Sequence, residues 1–140
     1  MTRRHDYSGI GPNKPPPDIV TPLKVAIVPT PDFTLMSLAC LTEYLRLSAD
    51  ESDFSRPIYC SWSILSKDKQ PIISSSGLGL TATGDISEAL EHDVIVFHGG
   101  LLHSKRAVPD YIYDSIEAAM RTNVQIVGLC TGQFLLAEMG

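Results

Sequence analysis

Short apolar runs alternate with polar and amphipathic segments along this chain, and the alternation predicts its strands. Residues 24–29 and 93–98 are apolar and rich in β-branched side chains, which is typical of strands buried on both faces of a parallel sheet. Residues 58–65 alternate apolar and polar positions with a period of two, which predicts a strand with one covered face. Residues 71–73 follow a turn and predict a short strand. This strand could pair with residues 58–65 as a hairpin at the edge of the sheet.

Three further segments have helical periodicity. Leucines at positions 35, 38, 41 and 45 predict a helix whose apolar face packs into the core, and Asp32 stands where a helix cap is expected. Residues 85–91 predict one or two helical turns, with Asp85 and Glu88 spaced as a capping box. Residues 109–121 predict a longer amphipathic helix. Residues 74–81 are rich in small side chains and are interpreted as an edge loop and strand.

The last pattern, residues 123–137, contains the most informative residues. Val124, Ile126 and Val127 predict a buried strand, a Gly-Leu-Cys-Thr-Gly turn follows, and Phe134 begins helix-forming sequence. The whole order of elements predicts an α/β fold, a flavodoxin-like three-layer sandwich with a mostly parallel sheet and helices on both faces. Residues 1–22 are polar and proline-rich and are interpreted as a disordered leader, so the domain is expected to cover residues 23–140.

Composition narrows the function classes. The net charge is −5 and the basic residues form no cluster larger than a pair such as Arg3-Arg4, which argues against nucleic-acid binding by these residues. The apolar runs are too short to span a bilayer, and the polar N-terminus lacks the apolar region of a signal peptide. Three cysteines without CxxC or Cys/His spacing predict neither a disulfide framework nor a metal site. No cofactor is expected, and a reducing cytoplasm fits best.

Cys130 is the candidate for chemistry. A nucleophilic residue with glycine two positions away on either side, between a strand and a helix, follows the logic of the nucleophile elbow. Gly128 and Gly132 are then needed because a Cβ there would collide with backbone in so tight a turn. The start of the following helix favours a thiolate or a bound anion. An inert, buried cysteine in an ordinary strand-to-helix turn is the alternative.

A glycine pair, Gly99 and Gly100, ends the strand of residues 93–98. Glycines at the carboxyl end of a parallel strand leave backbone N–H groups free to face the crevice where open α/β sheets bind ligands. His98 and His103 flank the pair, and either could contact a ligand, although a lone histidine at a strand end is more often simply hydrogen bonded. His98 is preferred because its neighbours face the crevice.

These motifs, in this order, resemble the class I glutamine-amidotransferase-like (ThiJ/PfpI) domain. The segments that carry the resemblance are Asp-Phe-Thr-Leu, Trp-Ser-Ile-Leu-Ser, Ser-Ser-Ser-Gly-Leu, Val-Phe-His-Gly-Gly and Gly-Leu-Cys-Thr-Gly-Gln-Phe-Leu-Leu-Ala. They cover residues 24–140. More narrowly, the last segment together with Ser-Ser-Ser-Gly-Leu is similar to the N-terminal sensor domain of AraC-type transcriptional regulators. In that branch further residues complete the domain and a helix-turn-helix domain follows, so the chain is expected to be truncated at its C-terminal side.

The resemblance implies roles for single residues. Cys130 would occupy the nucleophile position, and Gly99 and Gly100 would face it as an oxyanion hole. Hydrolytic members often have histidine after the cysteine and a glutamate before the first helix, and this chain has Thr131 and Thr34 at those positions. A thiol without an adjacent acid or base lacks the activation that nucleophilic catalysis requires.

Two functions therefore compete. In the first, a non-catalytic sensor binds a small polar metabolite, which the resemblance implies is amino-acid-like or an amine. Its crevice is formed by Asp32, Phe33, Thr34, His98, Gly99, Gly100, Cys130 and Thr131. The sensor biases a homodimer, and DNA is bound only by a domain outside this chain. In the second, Cys130 serves a hydrolase or hydratase. A redox-sensing thiol is a third interpretation.

Overall fold

The computed structural model describes residues 21–50, 55–104 and 106–140. Five strands form one parallel sheet: β1 (Leu23–Pro29), β2 (Cys60–Ser66), β5 (Gly84–Asp85), β6 (Val94–His98) and β7 (Gln125–Leu129). Their order across the sheet is β5-β2-β1-β6-β7. The first strand, β1, pairs with β2 on one side and β6 on the other, so the order of the strands reverses there. The predicted leader of residues 1–22 lies almost wholly outside the described residues.

Helices cover both faces of the sheet, which confirms the predicted α/β fold. Helix α1 (Leu35–Ser48) contributes Leu38 and Leu45 to a core on one face, and the partly buried Leu35 and Leu41 pack against it. Helices α2 (Asp110–Met120) and α3 (Gly132–Met139) cover the other face. The strands β1 and β6 are buried on both faces because side chains alternate between the two cores.

The predicted hairpin between residues 58–65 and 71–73 is wrong. Strand β3 (Ile72–Ile73) pairs antiparallel with β4 (Gly79–Leu80) in a separate two-stranded sheet. The turn between them is closed by Ser74, whose N–H donates to the Leu78 carbonyl and whose hydroxyl accepts from the Leu78 N–H. The neighbour of β2 is instead the parallel strand β5, which the sequence pattern does not reveal because it is only two residues long.

The predicted turns at residues 85–91 exist as a 3-10 helix, Ile86–Glu91. Asp85 and Glu88 form the predicted capping box, in which the Asp85 carboxylate accepts from the Ser87 N–H and the Glu88 carboxylate accepts from the Asp85 N–H. Hydrogen bonds from Ser87 hold the pKa of Asp85 below its usual range. These bonds define the start of the connection that leads into β6.

Candidate functional site

Cys130 lies in the turn between β7 and α3, with its thiol exposed and its backbone in the left-handed region at φ 55°. That conformation costs a residue with a side chain on the order of 1–3 kcal/mol and persists only where the surroundings impose it. A Cβ on Gly128 would lie 2.5 Å from Gln133 Cα, and one on Gly132 would lie 2.0 Å from the Phe97 carbonyl oxygen. The predicted need for glycine on both sides of Cys130 is therefore confirmed.

The Thr34 hydroxyl is within hydrogen-bonding distance of that thiol. Thr34 stands at the N-cap position of α1, and its Oγ1 lies 3.6 Å from Cys130 Sγ. Among the described residues, no carboxylate or imidazole is hydrogen bonded to Cys130. The position at which the resemblance places an acid thus holds a neutral hydroxyl next to the thiol.

The glycine pair differs from its predicted role. Gly99 N–H donates to the Leu129 carbonyl at 3.1 Å, and the Gly99 carbonyl accepts from Thr34 N–H at 3.2 Å. Gly99 is buried, and its N–H continues the hydrogen bonding between β6 and β7 beyond His98. This N–H is therefore not free to act as an oxyanion-hole donor. Gly100 is half-buried, and its N–H has no acceptor among the described residues.

Close backbone contacts explain both glycines better. A Cβ on Gly99 would lie 2.4 Å from the Gly132 backbone nitrogen, and one on Gly100 would lie 1.9 Å from the Asp32 carbonyl oxygen. Thr131 Oγ1 donates to the Gly100 carbonyl at 3.0 Å, which ties the start of α3 to the end of β6. The two glycines allow three chain segments to approach one another closely around Cys130. This close approach cannot be predicted from the pattern of residues along the sequence.

Asp32 does not cap α1. Its backbone has φ 59°, and its carboxylate accepts from Ser104 Oγ at 2.5 Å and pairs with Arg106 at 3.1 Å. The actual N-cap residue, Thr34, makes no side-chain cap bond. The Asp32 carboxylate instead connects the loop after β1 to the loop after β6. Ser104 and Arg106 were missed from the sequence because their loop has no periodic pattern.

Two predicted ligand contacts are core side chains. Phe33 and His98 are fully buried, with ring centroids 5.6 Å apart, so neither side chain reaches a ligand in the crevice. His98 Nε2 lies 2.8 Å from Ser37 Oγ, while Nδ1 has no partner among the described residues. Burial lowers the pKa of His98 from 6.5 to about 4, so the ring is neutral at neutral pH.

Of the predicted site residues, the structure brings together four at accessible positions: Thr34, Gly100, Cys130 and Thr131. Asp32 lies beside them through the antiparallel bridge between its neighbour Phe33 and Gly100. Within residues 21–50, 55–104 and 106–140, no group of three His, Cys, Asp or Glu residues could hold a metal ion. In the same part of the chain, no helix has the length and apolar character needed to cross a membrane.

The fold is the one seen in ThiJ/PfpI and DJ-1 superfamily structures, as the sequence predicts. A DJ-1 superfamily protein from Agrobacterium tumefaciens is 20% identical with a TM-score of 0.64, covering 81% of this chain and 56% of that one. A ThiJ/PfpI family protein from Pseudomonas syringae is 19% identical with a TM-score of 0.60, covering 91% of this chain and 50% of that one. At these identities the likeness shows the fold alone. No family model matches the chain.

More narrowly, the chain is similar to AraC-type and other helix-turn-helix regulators, which confirms the second part of the resemblance. It is 28% identical over 125 residues to the HTH-type transcriptional regulator GbdR of Pseudomonas aeruginosa, which is 89% of this chain and 33% of GbdR. It is 27% identical over 110 residues to CdhR of the same species, 79% of this chain and 31% of CdhR. An AraC family regulator from Pseudomonas putida has a TM-score of 0.68 at 22% identity, covering 82% of this chain and 60% of that one. The chain thus spans about a third of the length of the curated relatives it matches.

Proposed function

We propose that this chain is the effector-sensing, non-catalytic N-terminal domain of an AraC-family transcriptional regulator. The observation that carries the proposal is its similarity to the N-terminal third of regulators whose remaining two thirds lie outside it. The chain carries a net charge of −5, which suits a domain that leaves DNA binding to another part of the protein. A cytoplasmic location and a homodimeric state belong to the same proposal.

The surroundings of Cys130 support a non-catalytic role. Activated nucleophiles have a base within hydrogen-bond reach, at about 2.6–3.2 Å. Thr34 Oγ1, at 3.6 Å, is neutral and supplies neither proton abstraction nor charge. His98, at the end of β6, is buried against Ser37 and Phe33 and is not hydrogen bonded to Cys130. The strained turn therefore retains the shape of a nucleophile site without its activating group.

The effector site proposed here is the crevice around Thr34, Gly100, Cys130 and Thr131. It offers a hydroxyl, a thiol and the N–H of Gly100 to a small polar ligand, which we propose is amino-acid-like or an amine. Asp32 already accepts from Ser104 and Arg106, so it stabilises the wall of the crevice and is not the principal ligand group. The start of α1, the end of β6 and the turn before α3 meet at this crevice. A single bound ligand could therefore contact residues at the start of both α1 and α3.

A thermal-shift screen of amino acids and small primary and quaternary amines tests the sensor. A ligand at 100 times its dissociation constant stabilises the folded state by about 2.7 kcal/mol and raises the melting temperature. Thr34→Val should reduce that shift. Thr42→Val is the matched control. The Thr42 hydroxyl donates to carbonyls within α1, so its removal should leave the ligand-induced shift in melting temperature unchanged. An equal shift in both variants would place the ligand elsewhere.

A cysteine-dependent hydrolase or hydratase is the second candidate, favoured by the exposed thiol and positive φ of Cys130. Catalysis needs thiolate at neutral pH, so the rate of iodoacetamide labelling at Cys130 should already be at its plateau near pH 7. A half-maximal rate near pH 8.5, the ordinary free-thiol value, argues for the sensor instead. Labelling of the exposed Cys40 in the same samples provides the internal reference.

A further inference from the structure

A second pocket lies at the carboxyl edge of the sheet, apart from the crevice around Cys130. It has a volume of about 220 Å³ and lies between the loops after β1 and β6, the end of β2, strand β3 and the start of α2. None of its lining residues belongs to the crevice. Because the order of the strands reverses at β1, this edge is where open α/β sheets bind small molecules.

Aliphatic side chains make up half of the lining of this pocket. They belong to Pro31, Pro71, Ile72 and Ile73. The Ser66 hydroxyl, at the end of β2, is buried and donates to the Gln70 carbonyl at 2.6 Å, so it is already occupied. A volume of about 220 Å³ corresponds to roughly seven water molecules at ~30 Å³ each, which suits a ligand of about six heavy atoms with an apolar body.

Two side chains of the lining have unused hydrogen-bond donors. The Arg106 guanidinium pairs with Asp32 through one terminal nitrogen at 3.1 Å, and its remaining N–H groups have no acceptor among the described residues. The Tyr111 hydroxyl likewise has no partner within the part of the chain that the structure describes. Burial raises the pKa of Tyr111, so its hydroxyl stays protonated and able to donate at neutral pH.

Two cations stand at this pocket. Arg106 is one of its lining residues, and Lys67 lies over the Tyr111 ring, with Nζ 5.9 Å from the ring centroid. Asp32 offsets part of the Arg106 charge, and its other carboxylate oxygen accepts from Ser104. A guanidinium and an ammonium beside one pocket repel an amine and attract a carboxylate, for which the planar guanidinium provides a matching pair of donors.

We propose that this pocket binds a small monocarboxylate with a short aliphatic body. The carboxylate accepts from the Arg106 guanidinium and the Tyr111 hydroxyl, and the aliphatic body packs against the proline and isoleucine side chains of the lining. Asp32 competes with the ligand for the guanidinium, so Arg106 is shared between them. This site goes beyond the proposed sensor, and it does not depend on whether the crevice around Cys130 binds an effector.

Titration calorimetry of the complete 140-residue chain with sodium butyrate tests the site. We expect saturable binding of butyrate, and binding of acetate about tenfold weaker because acetate lacks two methylene groups that the aliphatic lining would bury. Butylamine, which has a similar body and the opposite charge, should not bind. Inorganic phosphate, which has no aliphatic body, should bind no more tightly than acetate.

Variants of the ion pair should change the affinity for butyrate in opposite directions. Arg106→Gln should weaken binding about tenfold or more, because it removes a charged donor. Asp32→Asn should tighten binding about threefold, because it removes the competing carboxylate. Tyr111→Phe should weaken binding about threefold. Arg121→Gln is the matched control, since Arg121 is also an exposed arginine paired with a single carboxylate, that of Glu117, and should leave the affinity unchanged.

Three results would overturn the proposal. One is no saturable binding of butyrate, and another is equal binding of butylamine. The third is weakening by Thr34→Val without weakening by Arg106→Gln, which would place the carboxylate in the crevice around Cys130 and leave the sensor standing. If Asp32→Asn and Arg106→Gln weaken binding alike, the ion pair has only a structural role. If Arg106→Gln loses its circular dichroism signal, Tyr111→Phe decides alone.

Discussion

Cys130 Sγ lies 3.6 Å from Thr34 Oγ1, although 96 positions separate the two residues in the chain. The contact joins the turn before α3 to the start of α1, across the carboxyl ends of β1, β6 and β7. A thiol in the strained geometry of a nucleophile therefore has a neutral hydroxyl as its neighbour. That pairing is the structural reason for preferring a binding site to a catalytic one.

Relief of backbone strain at Cys130 should be measurable. Cys130→Gly should be more stable than Cys130→Ala by about 0.5–1 kcal/mol, because glycine adopts φ near 55° without steric cost. Urea denaturation of both variants measures the difference. The matched pair is at Cys40, inside α1, where glycine should instead be about 1 kcal/mol less stable than alanine. The same order at both positions would mean that Cys130 carries no strain.

Close packing at Gly100 predicts a large loss of stability on adding one methyl group. Gly100→Ala should lower the free energy of unfolding by about 3 kcal/mol or more, because its Cβ would lie 1.9 Å from the Asp32 carbonyl oxygen. Gly79→Ala, with its Cβ at an ordinary 3.6 Å from Ile73 Cδ1, should change it by less than about 1 kcal/mol. Chemical denaturation compares them. Equal effects would show that the three segments do not converge as closely as described.

Buried His98 makes stability depend on pH. Its pKa is about 4 in the folded protein and 6.5 when unfolded, so between these values the unfolded state binds more protons. The free energy of unfolding should therefore fall as pH drops from 6.5 to 4, by up to about 3 kcal/mol from this residue. Urea midpoints at several pH values measure it.

His98→Gln should flatten that pH dependence, whereas His103→Gln, at an exposed position, should keep it. Carboxylates elsewhere in the protein contribute to all three proteins alike, so the difference between the profiles isolates His98. Identical slopes for His98→Gln and the unsubstituted protein would contradict a buried neutral imidazole.

The ion pair between Asp32 and Arg106 should couple two loops weakly. A double-mutant cycle with Asp32→Asn and Arg106→Gln should give a coupling energy of about 0.5–1 kcal/mol, because the Arg106 side chain is 53% exposed. The coupling should shrink in 1 M salt. Ser104→Ala should add its own loss, since Ser104 donates to the other carboxylate oxygen. Zero coupling at low salt would mean that Asp32 acts without Arg106.

Much of the fold was predictable because local patterns carry it. The β-branched runs of β1 and β6, the leucine spacing of α1 and the capping box at Asp85 specify their elements through short-range physics, and the structure confirms them. The two-residue strand β5 was not predicted, and the strand expected within residues 74–81 was not predicted to pair with β3. Segments so short have no period, and only their partners define them.

The candidate site also has features that were predictable from the sequence and features that were not. The sequence by itself determined the tight turn around Cys130, and it places the neutral residues Thr34 and Thr131 where the resemblance implies a glutamate and a histidine in hydrolytic members. Only the tertiary structure decided that Gly99 gives its N–H to Leu129 and that His98 is in the core. Turn geometry depends on residues a few positions apart, whereas hydrogen-bond partners and burial depend on segments brought together from distant parts of the chain.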